Sequence, residues 1–215
     1  VLSVSRHEPP HPEPALHDTP APSPPPRYAM DSVPDAGPRE DLERYVRDAF
    51  QRRHGASVAS FMPHLVALRD RGDRLCAVAG YRGAAGARLY LEQYLSMPIE
   101  RAIAAATRQP VDRAAVVEVG NLAATNCRAA RHLAARLPAL LLDEGYAWLA
   151  FTGTRVIREL LAGFEAPLID LGPADPAKLD AVPDRWGSYY DTEPRVLAGF
   201  LPHGRALAAF GGYDH

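Results

Sequence analysis

The stretch from Arg113 to Phe151 limits the fold more than any other part of this chain. Arg113 to Leu122 reads as a strand with Val116, Val117 and Val119 at its centre. A helix follows from about Asn126 to Glu144, kinked at Pro138 and closed by Gly145. Trp148, Leu149, Ala150 and Phe151 then form a short apolar run of the kind that a buried strand presents. Two strands joined by a helix of that length lie parallel in one sheet, and parallel strands are covered by helices. The chain is therefore expected to be an α/β protein.

The flanking segments add to the same sheet. Leu42, Tyr45, Val46, Ala49 and Phe50 make one apolar face, and Gly55 stops that helix. His64 to Asp70 and Arg74 to Tyr81 read as strands joined by the turn Asp70-Arg71-Gly72-Asp73, and Arg88 to Leu95 alternates as a third strand. Pro98 opens a short helix over Ile99–Thr107. Beyond Phe151, the residues Val156, Ile157, Leu160, Leu161 and Phe164 share a helix face ending near Gly163. Short strands at Leu168–Leu171 and Arg195–Phe200 flank a weak helix near Pro176–Ala181. The expectation is a mixed central sheet flanked by helices, antiparallel early and parallel at the strand-helix-strand unit.

Residues 1–38 carry eleven of the 21 prolines and are expected to be an extended, mobile tail, leaving 39–215 as the folded domain. A domain of that size buries roughly 70% of its unfolded surface and needs no metal or disulfide. A net charge of −2 argues against a nucleic-acid or anionic-membrane binder. No run approaches about 18 apolar residues and no secretory pattern opens the sequence, so no transmembrane segment is expected. With only Cys76 and Cys127, a reducing, cytoplasmic setting is expected.

Several phrases resemble the thermostable-hemolysin family. They are Phe61-Met62-Pro63-His64-Leu65; Leu91-Glu92-Gln93-Tyr94-Leu95 with Pro98-Ile99-Glu100; Val117-Glu118-Val119-Gly120-Asn121-Leu122-Ala123; Phe151-Thr152; and Trp186-Gly187-Ser188-Tyr189-Tyr190-Asp191-Thr192. The element order is similar to the GNAT-like acyltransferase fold, particularly to acyl-homoserine-lactone synthases. That resemblance implies an acyltransferase moving a fatty acyl group from acyl-CoA or a phosphopantetheine-linked donor on acyl-carrier protein to a small amine or hydroxyl acceptor. No tightly bound cofactor is expected. The family name itself implies a rival, a cytolytic protein acting on membranes directly or through an amphiphilic product.

Glu118 is the first catalytic candidate. It shares a central strand with apolar residues, and a partly desolvated carboxylate whose pKa rises is what a general base for an amine requires. It equally suits a structural pair with Arg69 or Arg82. The resemblance to the lactone synthases places Glu118 where their strand Glu sits. Glu92, on the expected neighbouring strand beside Tyr90 and Tyr94, is the second candidate, and two carboxylates facing one cleft could bind and deprotonate an amine.

The resemblance to GNAT proteins also makes the junction Asn121–Arg131 the donor-binding segment, through Asn121, Leu122, Ala123, Asn126, Arg128 and Arg131, although Asn126-Cys127-Arg128-Ala129 lacks the usual glycines. Tyr94, Trp186, Tyr189 and Tyr190 are candidates for a pocket wall, or for a plug at the sheet's open end. His64 and His132 lack ligand spacing, so no metal is expected, and no Gly-x-Ser-x-Gly elbow supplies a lipase serine.

Overall fold

The computed structural model describes residues 28–34, 39–162, 167–180 and 186–203. In chain order these form β1 (Tyr28–Pro34), α1 (Glu40–His54), β2 (His64–Asp70), β3 (Leu75–Gly83), α2 (Ile99–Thr107), β4 (Val116–Ala124), α3 (Cys127–Asp143), β5 (Trp148–Gly153), α4 (Arg155–Ala162), β6 (Leu168–Pro173) and β7 (Arg195–Phe200). A single sheet runs in the order β1-β2-β3-β4-β5-β7-β6. Only β4 and β5 pair in parallel; the other neighbours are antiparallel. The expected mixed sheet is the one observed.

Alternation along the strands explains the layering. Leu65, Ala67 and Val78 bury against Leu42 and Val46 of α1, while Val66, Leu68, Ala77, Ala79 and Val117 bury against Leu133, Leu137 and Leu141 of α3. The four-residue spacing of those leucines is the helix face the sequence pattern indicated. Ile99 and Ile103 of α2 pack with Leu89, Leu91, Val116, Ala150, Val196 and Ala198. The hairpin turn forms as expected, with Asp70 Oδ1 accepting from the N–H groups of Gly72 (2.9 Å) and Arg74 (3.0 Å).

Two expectations change. The segment assigned to a mobile tail contains β1, which pairs with all of β2 from Tyr28↔Asp70 to Pro34↔His64. Tyr28 is buried against the His132 ring at 4.7 Å, Arg136 Nη1 donates to its carbonyl, and the Ser32 hydroxyl meets that of Tyr81. Prolines on both sides mask this strand in the sequence, and Pro34 is tolerated because β1 is an edge. The rest of that segment, 1–27 and 35–38, lies outside the described residues, as do Gly163 and Phe164 of the expected last helix.

A chain trimmed to start at Arg39 should therefore unfold at lower free energy by about 3 kcal/mol, from lost burial and hydrogen bonds. Urea denaturation checks this; an unchanged midpoint would mean that β1 contributes nothing.

The second change concerns Arg88–Leu95, where Tyr90–Tyr94 forms a 3-10 turn and no strand. Its cause is the pair of carboxylates described next.

Candidate active site

Glu118 lies on β4 with Arg82 across from it on β3 and Ala150 on β5. Its residue is 3% exposed. Oε1 accepts from the Leu91 N–H at 2.9 Å, and Oε2 accepts from the Tyr90 N–H at 2.9 Å and Arg82 Nη2 at 3.1 Å. Burial pushes this carboxyl above the usual carboxylate range, opposed by the Leu91 and Tyr90 amides and by Arg82.

Glu92 is 5% exposed and occupies the other side of the same turn. It accepts from the N–H groups of Leu89 and Ile99, each at 2.8 Å, and from Arg113 Nη1 at 2.6 Å. Burial pushes its carboxyl up, but Arg113 and the two amides outweigh that and hold it below the usual range. Arg113 also bridges to Glu100 at 2.7 Å.

These contacts explain the failed strand. Amides that would have entered a ladder are taken by two buried carboxylates, and the chain closes into a turn. Glu92 thus sits in this turn, where the Ile99 N–H it accepts from ties the turn to α2. The two environments move the carboxyls in opposite directions, Glu118 up and Glu92 down.

The phrases singled out in the sequence converge here. Gly80 and Gly120 pair across β3 and β4, and a Cβ on either would meet the Met62 side chain at 2.7 or 2.8 Å. Met62 is held there by its N–H to Asn121 Oδ1 (2.8 Å) and by Arg39, whose Nη2 reaches its carbonyl at 2.5 Å. Asn121 takes a left-handed φ of 50° where β4 carries one extra residue against β3. Its side chain serves the Met62 contact. Leu122 packs toward α3 and Ala123 is buried under α1.

The rest of the junction is laid out as expected of a capped helix. Asn126 Oδ1 accepts from the Ala129 N–H at 2.9 Å, and Arg128 and Arg131 are exposed in the opening turns of α3. From Glu118 to Ala124 is six residues, roughly 20 Å of strand. Beyond Val119↔Phe151 the parallel pairing stops, so β4 parts from β5 just past Glu118 and leaves one edge of Gly120–Ala124 open toward β5.

The aromatic residues form a layer over this turn. Tyr94 and Tyr190 join hydroxyls at 2.7 Å, and the Trp186 ring lies 6.1 Å from Tyr90 and 5.4 Å from Tyr189. Tyr189 stacks on Phe50 of α1 at 6.4 Å. Gly187 has φ of 49°, and a Cβ there would fall 1.9 Å from the His54 carbonyl oxygen, so the turn beds directly on the end of α1. Burial pushes the Tyr190 hydroxyl up to about 12. Beside the layer is a shallow, open recess of about 290 Å³ lined by Arg82, Arg88, Leu89, Tyr90, Gln93 and Asp180. A larger, open groove of about 630 Å³ runs along Ala85–Arg88, Leu95–Pro98, Glu100 and Arg113, on the side of Glu92. Sequence reasoning missed Arg113 and the Tyr90 amide; of the two arginines it offered Glu118, Arg82 is the partner and Arg69 bonds to Asp73 instead.

Cys127 is exposed, His64 stacks on Tyr81 at 4.8 Å, and no group of three or more metal-binding side chains occurs among the described residues.

A family model described as thermostable hemolysin matches residues 33–205. The chain belongs to that family. No curated protein matches it. Among solved structures, this thermostable-hemolysin chain is similar to the AHL synthase LasI, with 10% identity, TM-score 0.58, and coverage of 86% of this chain and 95% of that one. It is also similar to FeeM, an N-acyl amino acid synthase from uncultured soil microbes (14%, 0.56, 85% and 98%), and to MesI, a CoA-dependent acyl-homoserine lactone synthase (16%, 0.55, 87% and 97%). At these identities the likeness shows the fold alone, a GNAT-like mixed sheet flanked by helices. Among the described residues, no helix is long and apolar enough to cross a membrane.

Proposed function

We propose that this thermostable-hemolysin domain transfers a fatty acyl group from a thioester to a small amine. The observation that carries the reading is the parting of β4 from β5 immediately beyond a buried, pKa-raised Glu118. An extended thioester arm entering that gap can hydrogen-bond the open edge of β4 as an added strand would, which brings its carbonyl to the Glu118 end. The N-acylating enzymes named above, built on the same fold, support the reading.

In this account the amine stands in the recess, one partner away from Glu118, since Arg82 and Tyr90 both line the recess and both donate to that carboxylate. Glu118, which does not itself line the recess, accepts the amine's proton through a bridging water. Glu92 is a positioning residue that fixes the turn on which Tyr90 and Leu91 sit. The exposed Arg128 and Arg131 at the start of α3 face the phosphates of acyl-CoA or of a carrier-linked phosphopantetheine.

The function is tested by following free thiol release from lauroyl-CoA and from lauroyl-carrier protein with primary amines as acceptors. Release that needs both donor and amine supports the reading. Dye leakage from liposomes by pure protein, with no thioester consumed, would replace it with direct lysis. For the donor site, the double charge reversal Arg128→Glu with Arg131→Glu should raise the KM for donor at least 10-fold while circular dichroism is unchanged, because each partner becomes a repelling charge. An unchanged KM would move the phosphate site elsewhere.

A further inference from the structure

Thr152 stands where β5 loses its neighbour β4. The parallel pairing ends at Val119↔Phe151, and Thr152 is the next residue along. On its other edge it pairs with Val196, whose side chain is buried with those of Ala150, Leu89, Leu91 and Tyr94. Residues directly opposite in an antiparallel pair share a face. The Thr152 side chain therefore lies on the face that carries Ala150, its register partner Glu118 and the turn whose amides bind that carboxylate. Leu149, on the other side of β5, packs toward α3. Strand spacings of about 4.8 Å across and 3.3 Å along set the Cα atoms of Glu118 and Thr152 roughly 8 Å apart.

Hydroxyls nearby are committed. Thr154 accepts from the Ile157 N–H at 3.4 Å at the start of α4, Thr192 donates to the Tyr189 carbonyl at 2.6 Å, and Tyr94 and Tyr190 bond each other. Among the described residues the Thr152 hydroxyl has no hydrogen-bond partner, and the half-buried side chain keeps its oxygen open to solvent. A free donor thus stands at the head of the gap, on the face of Glu118.

We infer that the Thr152 hydroxyl donates a hydrogen bond to the thioester's carbonyl oxygen as negative charge develops there. This rests on the acyl-transfer reading and adds a second catalytic residue, on β5, to Glu118 on β4. An arm laid along the open edge of β4 brings its carbonyl carbon to the point where the strands part, between the two side chains. The amine, neutral after giving one proton to solvent, bonds to that carbon, and the C=O electron pair moves onto oxygen, which the hydroxyl meets. The carbonyl then re-forms and the C–S bond breaks, its electron pair leaving with sulfur. The nitrogen's second proton passes by way of Glu118 to that thiolate, and Thr152 keeps its own proton throughout. A donor fixed in advance where charge develops is worth about 10²–10³ in kcat.

The experiment follows thiol release from lauroyl-CoA with a primary amine, using the wild-type chain, Thr152→Val and Thr152→Ser. Valine keeps the β-branched shape and serine keeps the hydroxyl. In Thr152→Val, kcat should fall about 10²-fold with little change in the KM for lauroyl-CoA, while Thr152→Ser should stay within about 10-fold of wild type. A threonine that only builds the strand would give the reverse order, served by valine and harmed by serine. A second arm needs no acceptor. Infrared spectra are taken of a ketone analogue of lauroyl-CoA, with a CH2 between carbonyl and sulfur so that no C–S bond can break. Its ¹³C-labelled carbonyl band should lie at lower frequency on the wild-type chain than on Thr152→Val, because a hydroxyl bonded to the oxygen weakens C=O. Equal kcat in Thr152→Val and wild type, or the same band position on both, overturns the inference and leaves acyl transfer standing. If no amine is acylated, the acyl-transfer reading fails, and a band that moves in Thr152→Val still supports the carbonyl contact.

Discussion

Glu118→Gln should lower the rate of acyl transfer by about 10²–10⁴-fold, the usual worth of a positioned proton acceptor. The substitution is not silent in the fold. Both carboxylate oxygens receive N–H donors, from Leu91 on one side and from Tyr90 and Arg82 on the other. An amide turns an NH2 toward one of those sides, so stability should fall by about 1–3 kcal/mol as well. The pH profile separates the two effects. A base must be deprotonated, so wild-type turnover should rise with pH through the Glu118 pKa, which burial places above the usual carboxylate range. The variant, assayed well below its melting temperature, should lack that rising limb. A variant that keeps the limb and most of its rate would assign Glu118 to architecture alone. Linkage gives a further sign. The folded pKa lies above the unfolded one, so the stabilisation linked to this group is complete below the unfolded pKa and lost as pH rises through the folded value.

Arg113→Met should cost about 3–5 kcal/mol, because it leaves Glu92 buried with its charge facing only two backbone amides. The cost must depend on pH. In the wild type the folded pKa of Glu92 is depressed, so its stabilisation is present above the unfolded pKa and is lost as pH falls through the folded one. Without Arg113 burial dominates, the carboxyl is easier to protonate, and the deficit relative to wild type should shrink between pH 7 and pH 4. Urea melts of both proteins at the two pH values check this. A deficit under 1 kcal/mol, or one unchanged by acid, would show that the pair does not hold the turn.

Much of this fold is legible along the chain because local patterns and tertiary packing agree there. The valines of β4, the leucine face of α3 and the apolar run of β5 forced a parallel pair, and the Asp70–Asp73 turn could serve only a hairpin. The exceptions have specific causes. β1 gains its stability from β2, His132, Arg136 and Tyr81, partners 30 to 108 positions away, and its proline-rich neighbourhood argues the other way. Arg88–Leu95 alternates like a strand, but the alternation serves burial of Leu89 and Leu91 in a turn whose amides belong to Glu92 and Glu118. That exchange is invisible until distant carboxylates are placed.

The surroundings of the candidate residues were legible in part. The setting of Glu118, an acid inside an apolar strand, called for a counterion from Arg69 or Arg82; Arg82 fills that place, and Arg69 turns to Asp73. Glu92 has the same composition of neighbours, yet Arg113, 21 positions on, holds its carboxyl below the usual range despite burial. The contact that the Asn121 side chain makes, securing Met62 over Gly80 and Gly120, was not legible in the sequence. The aromatic run from Trp186 shows its amphipathic character in sequence but not its seat on the end of α1, which depends on Gly187 approaching His54.

The central claim is that a thioester's acyl group ends on an amine at Glu118. Incubation with a ¹³C-labelled lauroyl thioester and a mixture of primary amines, followed by mass spectrometry, tests it most directly. The account predicts labelled N-lauroyl amides formed in step with free thiol by the wild-type chain, and a yield at least 10²-fold lower with Glu118→Gln. Label remaining wholly in thioester or appearing only as free fatty acid, with equal yields from both proteins, would contradict it.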